Sequence, residues 1–384
     1  MPMNLASRSN AVSWRTVATL LIIVGATSLA GCATKVRELM PTPDVYHLPT
    51  ARAIFEQVPV ERRTDSIDLL YITDRVPDKT PEAELPYGEE RSRSLAFGSA
   101  MVELKPQMGW DELKRHSLAD PRDEQISMKL GAVKELGRYP NEPYRVEVVG
   151  DGIRRDSATL GEHRRVDNAL QAEIQRRLKT APTKEVVLYV HGFNETFEGP
   201  AYTAAELCHF FGRAHVCSFF TWPASSTGGP LTSYISTTES AQYSVSHLKK
   251  AIRTIARTPG VEGIHLLAHS RGTALLLNAV RELSIEAIAS GESPVDALKL
   301  ENWVLMSPDI DVQVASQQLE IFASDPDLMN RWRARQLPKF IRGRFTIYAS
   351  PEDKALRLSE ILFRSKHRVG QLSPEDIPDF VQDY

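Results

Sequence analysis

The chain has 384 residues, with 46 Lys+Arg against 49 Asp+Glu, a formal net charge of −3, 42% hydrophobic and 25% charged residues. That balance describes a soluble globular body of one large domain or two and excludes disordered and fibrous classes. No basic excess is available to neutralise phosphates, which excludes nucleic acid as a partner, and three cysteines cannot build a disulfide framework.

Residues 1–31 contain Arg8 and Arg15 and no acid, with an apolar run over 17–24 and small residues up to Cys32. A membrane span needs roughly 20 apolar residues, so this run reads as the h-region of a secretory signal. Leu29-Ala30-Gly31-Cys32 resembles a bacterial lipobox. The resemblance implies cleavage before Cys32 and acylation of its thiol. Cleavage removes 31 residues, leaving 353, and both arginines, leaving 44 basic residues against 49 acids and a mature charge of −5. Ala33 stands where retained inner-membrane lipoproteins carry Asp, which implies an outer-membrane anchor facing the periplasm. An acidic body held by lipid should not rely on anionic headgroups.

Residues 32–63 carry Pro41, Pro43, Pro49 and Pro59 without sustained periodicity and read as a tether, followed by a folded domain over 64–384. Residues 67–72 and 95–104 read as two early strands. The stretch 105–165 is charged and irregular except for an alternating edge strand at 144–149. From 166 onward helices and strands alternate. Strands are predicted at 185–190, 216–221, 263–268, 302–306 and 345–349. Helices are predicted at 166–178, 200–211, 238–257, 273–289, from about 309 to 335, at 354–363 and at 375–384. Such alternation indicates a mostly parallel sheet with helices on both faces, binding ligands at the carboxyl ends of its strands.

Ile264-His265-Leu266-Leu267-Ala268-His269-Ser270-Arg271-Gly272 runs an apolar strand into a helix through a turn with serine at its apex. This is the G-x-S-x-G nucleophile elbow with Ala268 in place of the first glycine. Oxyanion donors belong at the end of a neighbouring strand, here His191-Gly192-Phe193-Asn194. The expected donors are the backbone N–H of Phe193 or Asn194 and that of Arg271. His191 precedes Ser270 by 79 residues and is read as support for this turn, while His269 is expected to pack under the elbow. Ala224–Ser233 leaves a strand at the same end and reads as a rim, a mobile lid or a plain surface loop.

HGFN, SFFTWP, TTESAQYS, IHLLAHSRG, VLMSPDID and IYASPEDKAL, in this order, resemble the bacterial alpha/beta-hydrolase family of uncharacterised function. Tyr71-Ile72-Thr73-Asp74-Arg75 and the following strand extend the likeness to about residues 65–370. The resemblance implies an alpha/beta-hydrolase fold and a serine nucleophile acting on small ester or lipid-like substrates, with no cofactor. It defines no substrate.

Asp353 follows the last predicted strand at the position expected for the acid, with Asp309 as the alternative; Asp309 or Asp311 also starts a helix. Only His367 follows Asp353. Either His367 is the base, or the expected base belonged to a missing C-terminal segment, or His191 or His269 serves out of chain order. Without a base the serine is a poor nucleophile, so the alternative function is a weak or inactive hydrolase-fold lipoprotein acting as an interaction scaffold. Cys208 and Cys217 read as two buried thiols, with a disulfide as the other option. No metal site is expected, because His209 and His215 lack a second ligand pair in sequence.

Overall fold

The computed structural model describes residues 36–83, 85–224, 230–323, 340–353 and 367–373, together with Leu356, Ser359 and Glu375. The lipobox-like segment with Cys32 lies outside these residues, as does most of the helices predicted at 354–363 and 375–384.

Glu185–Val190 and Val216–Thr221 are buried on both faces, as expected of strands in the middle of a parallel sheet. They are β7 and β8 of a nine-stranded sheet ordered β1-β4-β3-β2-β8-β7-β9-β10-β11. The others are β1 (Arg37–Glu38), β2 (Ser66–Pro77), β3 (Tyr87–Lys105), β4 (Ser127–Arg138), β9 (Gly263–His269), β10 (Leu300–Met306) and β11 (Phe345–Tyr348). The six strands from β2 to β11 in that order run parallel, and β3 and β4 add antiparallel at one side.

Alternate residues of each strand feed two cores. Leu70, Val186, Leu188, Phe220 and Leu266 pack with Leu170, Leu248 and Leu275 from three helices on one face. Leu69, Val187, Tyr189, Phe219 and Leu267 pack on the other with Ala201, Ala204 and Phe210 of the helix Glu198–Phe210. The chain passes from β7 outward to β8, then returns to β9 on the other side of β7. The carboxyl ends of β7 and β9 therefore flank the switch-point crevice where open α/β sheets bind ligands.

Four sequence expectations are corrected. From Glu38 onward the tether is part of the body: Leu39, Tyr46, Phe55 and Val58 are buried. Phe55 packs on Tyr46, Trp110, His209 and Phe210, and Pro43, Pro49 and Pro59 start short helical turns instead of extending a linker. The irregular stretch holds the helix Trp110–Ser117, the strand β4 and the start of the helix Ser157–Leu178. Residues 146–149 do not edge the main sheet; β5 (Val146–Val149) pairs only with β6 (Gly152–Arg155) in a separate exposed hairpin. Cys208 and Cys217 are joined in a disulfide. Nine residues apart, they connect the end of a helix to β8, so local chain geometry brings them together.

The helix predicted from 238 begins at Pro230, so the rim segment is helical from there, and residues 225–229 lie outside the described set. Val312–Ala323 is helical, and the rest of the stretch predicted as helix, to about 335, lies outside the described residues. No helix among the described residues is long and apolar enough to cross a membrane.

Candidate active site

β9 passes directly into the helix Arg271–Ala289, and the single residue between them, Ser270, takes φ +49° and ψ −122°. A residue with a side chain in such a region is strained by about 1–3 kcal/mol. Surrounding hydrogen bonds fix it there. Ser270 N–H donates to Met306 O at 2.9 Å, and Ser270 O accepts from Thr273 N, Thr273 Oγ1 and Asp309 N at 3.1, 2.6 and 3.2 Å.

Close backbone approach explains the two glycines beside it. A Cβ on Gly272 would lie 2.2 Å from His191 O and 2.8 Å from Val190 O; one on Gly192 would lie 2.9 Å from Ser270 Cβ. The turn after β7 thus sits against the elbow with no room for a methyl group. Ala268, fully buried, is tolerated at the remaining small-residue position.

His191 is buried, and both ring nitrogens are engaged. Nε2 accepts from Trp222 N at 3.0 Å, so Nδ1 carries the proton and donates to Gly192 O at 2.9 Å. Trp222 stacks on the ring and its indole donates to His191 O at 2.9 Å. Burial, and then the nearby Arg75, hold this imidazole neutral, well below its ordinary pKa. Its role is to shape the turn; no lone pair remains for a proton from Ser270.

The expectation for Asn194 is corrected. Its N–H donates to Ala224 O at 2.9 Å, in a residue with φ +58°, so this group is committed to holding the loop. Phe193 is half-buried, and Arg271 opens the helix, where main-chain N–H groups point out of the N-terminus.

Arg75 has no assigned role in the sequence reading, and the structure gives it one. Fully buried at the end of β2, it donates through Nε to Thr221 Oγ1 (2.9 Å), through Nη1 to Gly88 O (3.2 Å) and through Nη2 to Glu195 O (2.5 Å). It thereby ties the loop after His191 to the ends of β2 and β8. The available signal was a lone arginine at the end of an apolar strand, which must be paired if buried.

Asp309 is buried, accepts from Ser359 Oγ at 3.0 Å and lies 3.5 and 3.9 Å from the guanidinium nitrogens of Arg368 and Arg271. With its N–H on Ser270 O, it braces the elbow from behind. Asp311, not Asp309, caps the following helix, its Oδ1 accepting from Gln313 N and Val314 N.

Asp353 is half-buried beyond β11; its Oδ1 accepts from Leu356 N at 3.3 Å and its charge reaches His269. His269 does not pack under the elbow. As the last residue of β9 it keeps an exposed surface, and partial desolvation by the surrounding chain lowers its pKa while Asp353 opposes that shift. His367 is exposed at the start of the segment 367–371, which runs beside 308–312 through main-chain bonds such as Val312 N to His367 O. Among the described residues the structure brings no histidine nitrogen within hydrogen-bond distance of the Ser270 hydroxyl. A cavity of about 280 Å³ lined by Arg62, Asp68 and Arg213 lies at the opposite end of the sheet and plays no part in this site.

The model of the family described as alpha/beta hydrolase of unknown function (DUF900) matches residues 166–383. The chain belongs to this family. No curated protein matches it significantly. The matched span of this hydrolase-family member begins within the helix Ser157–Leu178 and takes in both the His191 turn and the Ser270 elbow. Arg75 and the β2–β4 portion lie before it.

Three imidazoles make the fold acid-sensitive. His191 and His209 are fully buried and depressed well below 6.5, and burial lowers His215 to about 4. At His209, Nδ1 accepts from Arg213, which excludes a second ring proton. The unfolded chain binds more protons than the folded one below about pH 6.5, so stability falls as pH drops through that value. Unfolding free energies from urea titrations at pH 7 and pH 5 should differ by up to about 1.4 kcal/mol per pH unit for each such histidine, read as a lower urea midpoint at pH 5. A pH-independent midpoint over this range would contradict the assignment.

Proposed function

We propose that this chain is a serine hydrolase that cleaves carboxylic esters through an acyl-enzyme, held by a lipidated Cys32 on the periplasmic side of the outer membrane. The observation that carries the reading is Ser270: a strained residue at the switch-point end of the sheet, clamped by four main-chain and hydroxyl hydrogen bonds and faced by the glycine turn after β7. Structures that hold a serine in this conformation do so to present its hydroxyl. The Cys208–Cys217 disulfide fits an oxidising compartment.

In this reading Ser270 Oγ attacks the ester carbonyl carbon while its proton passes to an imidazole. N–H groups of Phe193 and Arg271 receive the oxyanion, and the imidazolium returns its proton to the departing alcohol. Water then attacks the acyl group by the same sequence. Asp353 stabilises the imidazolium. Chain order assigns the base to His367; adjacency to Ser270 and the charge of Asp353 favour His269. A small or lipid-like ester is the substrate class, and the chemistry calls for no cofactor.

A fluorophosphonate probe tests the reading on the purified protein. Labelling that vanishes in Ser270→Ala supports it, and p-nitrophenyl ester kinetics of His269→Gln and His367→Gln then identify the base. With His269 as base, kcat/KM should rise with pH through a midpoint below the ordinary imidazole value, because its neutral form is favoured. Absence of labelling would support the second reading, an interaction scaffold, which the lack of a Ser270–histidine hydrogen bond among the described residues favours.

A further inference from the structure

Three adjacent parallel strands place one metal-ligand side chain each at their amino ends, away from Ser270. Glu185 opens β7, His215 immediately precedes β8, and His265 is the third residue of β9. The register pairs Val187 with both Cys217 and His265, so all three side chains project from the same face of the sheet.

His265 Nε2 lies 3.0 Å and His215 Nδ1 3.3 Å from Glu185 Oε2, and the three atoms all fall within 4.8 Å of one another. Tetrahedral zinc with bonds near 2.0–2.1 Å separates its ligand atoms by about 3.3 Å. All three residues are half-buried, which leaves room for water in the remaining position. Two imidazoles and one carboxylate suit zinc better than calcium or magnesium.

The geometry points to a divalent zinc-type site formed by Glu185, His215 and His265, stitching β8, β7 and β9 at the end of the sheet remote from the elbow. His265 and Ser270 are five residues apart along β9, roughly 16 Å at strand rise.

Without metal, the same atoms form a hydrogen-bonded cluster. Asn302 Nδ2 donates to His265 Nδ1 at 3.0 Å, so His265 Nε2–H donates to Glu185. Thr183 Oγ1 lies 2.8 Å from His215 Nδ1 and itself donates to Ala214 O, so Nδ1 carries the proton. Metal loading shifts each ring proton to the other nitrogen. His265 Nδ1–H then needs an acceptor, and Asn302 must turn its oxygen toward the ring and away from Arg344 N, which it now receives at 3.1 Å. That rearrangement, together with the opposing charge of Arg62 on the His215 carbonyl, weakens the site. Asp at 302 would accept from both His265 and Arg344 and remove the conflict.

Zinc titration of the chelator-treated full protein by calorimetry tests this. Wild type is expected to take up one equivalent through this cluster, His215→Ala and His265→Ala to weaken uptake at least tenfold, and Asn302→Asp to tighten it about tenfold, the scale of outer-ligand effects. The gain in Asn302→Asp cannot arise from unfolding. Fluorophosphonate labelling of Ser270 should not change with zinc. No saturable uptake by wild type, or uptake unchanged in the doubly substituted His215→Ala/His265→Ala protein, would overturn the site; the latter result would move binding to Glu112, His116 and Glu124, the other described cluster.

Discussion

Ser270→Gly is expected to raise the melting temperature relative to Ser270→Ala while both substitutions abolish turnover. Alanine keeps the Cβ atom, and with it the strain of φ +49° and ψ −122°; glycine adopts that region freely. Strain relief of about 1–3 kcal/mol is offset by roughly 0.4–1 kcal/mol from the greater freedom of glycine in the unfolded chain. A net gain of about 1 kcal/mol remains, a shift on the order of 1–2 °C for a chain this long. On the proposed serine mechanism, ester hydrolysis should fall by at least about 10³-fold in either variant, because Ser270 supplies the attacking oxygen in that mechanism. A glycine variant less stable than the alanine variant would show that the elbow is not strained. The comparison separates conformation from chemistry: both variants lack the hydroxyl and lose turnover alike, and only the Cβ distinguishes their stability.

Arg75→Ala is expected to lower both stability and reactivity. Its guanidinium donates to Thr221 Oγ1, Gly88 O and Glu195 O from a fully buried position. Each such bond from a charged donor contributes about 1.5–3 kcal/mol, and removal strands buried acceptors. A loss of about 3 kcal/mol or more follows, read as the urea midpoint. Burial already lowers this guanidinium to about 10, so it remains charged near neutrality. Arg75→Lys should keep the charge but reach fewer acceptors and recover part of the stability. Because Arg75 holds Glu195 O, four residues after His191, the lysine variant should also lose labelling rate at Ser270 beyond what its stability loss explains. An alanine variant with an unchanged urea midpoint would remove Arg75 from this role.

The corrected expectations share a cause. Phe55 and Tyr46 lie among Pro43, Pro49 and Pro59, which suggest a linker, yet the turn after Pro43 delivers Tyr46 to the core and the next short turn, Ala53–Phe55, delivers Phe55. Asn194 was a reasonable oxyanion donor by position, but the loop conformation commits its N–H to Ala224 O. Glu185, His215 and His265 are separated by 30 and 50 residues, so no spacing rule could join them; parallel pairing of β8, β7 and β9 did.

By itself the sequence determined the alternation of strand and helix, the parallel sheet and the position of Ser270. These are local properties: continuous apolar runs require burial on both faces, and a strand meeting a helix at a serine flanked by small residues allows few backbone paths. Only the tertiary structure decided the roles of Asp309 and Arg75 and supplied the partners through which His191 supports its turn. A polar side chain in a core is defined by the partners that satisfy it, and here those partners come from β2, β8, the His191 loop, Ser359 and Arg368, which meet only after the sheet has formed.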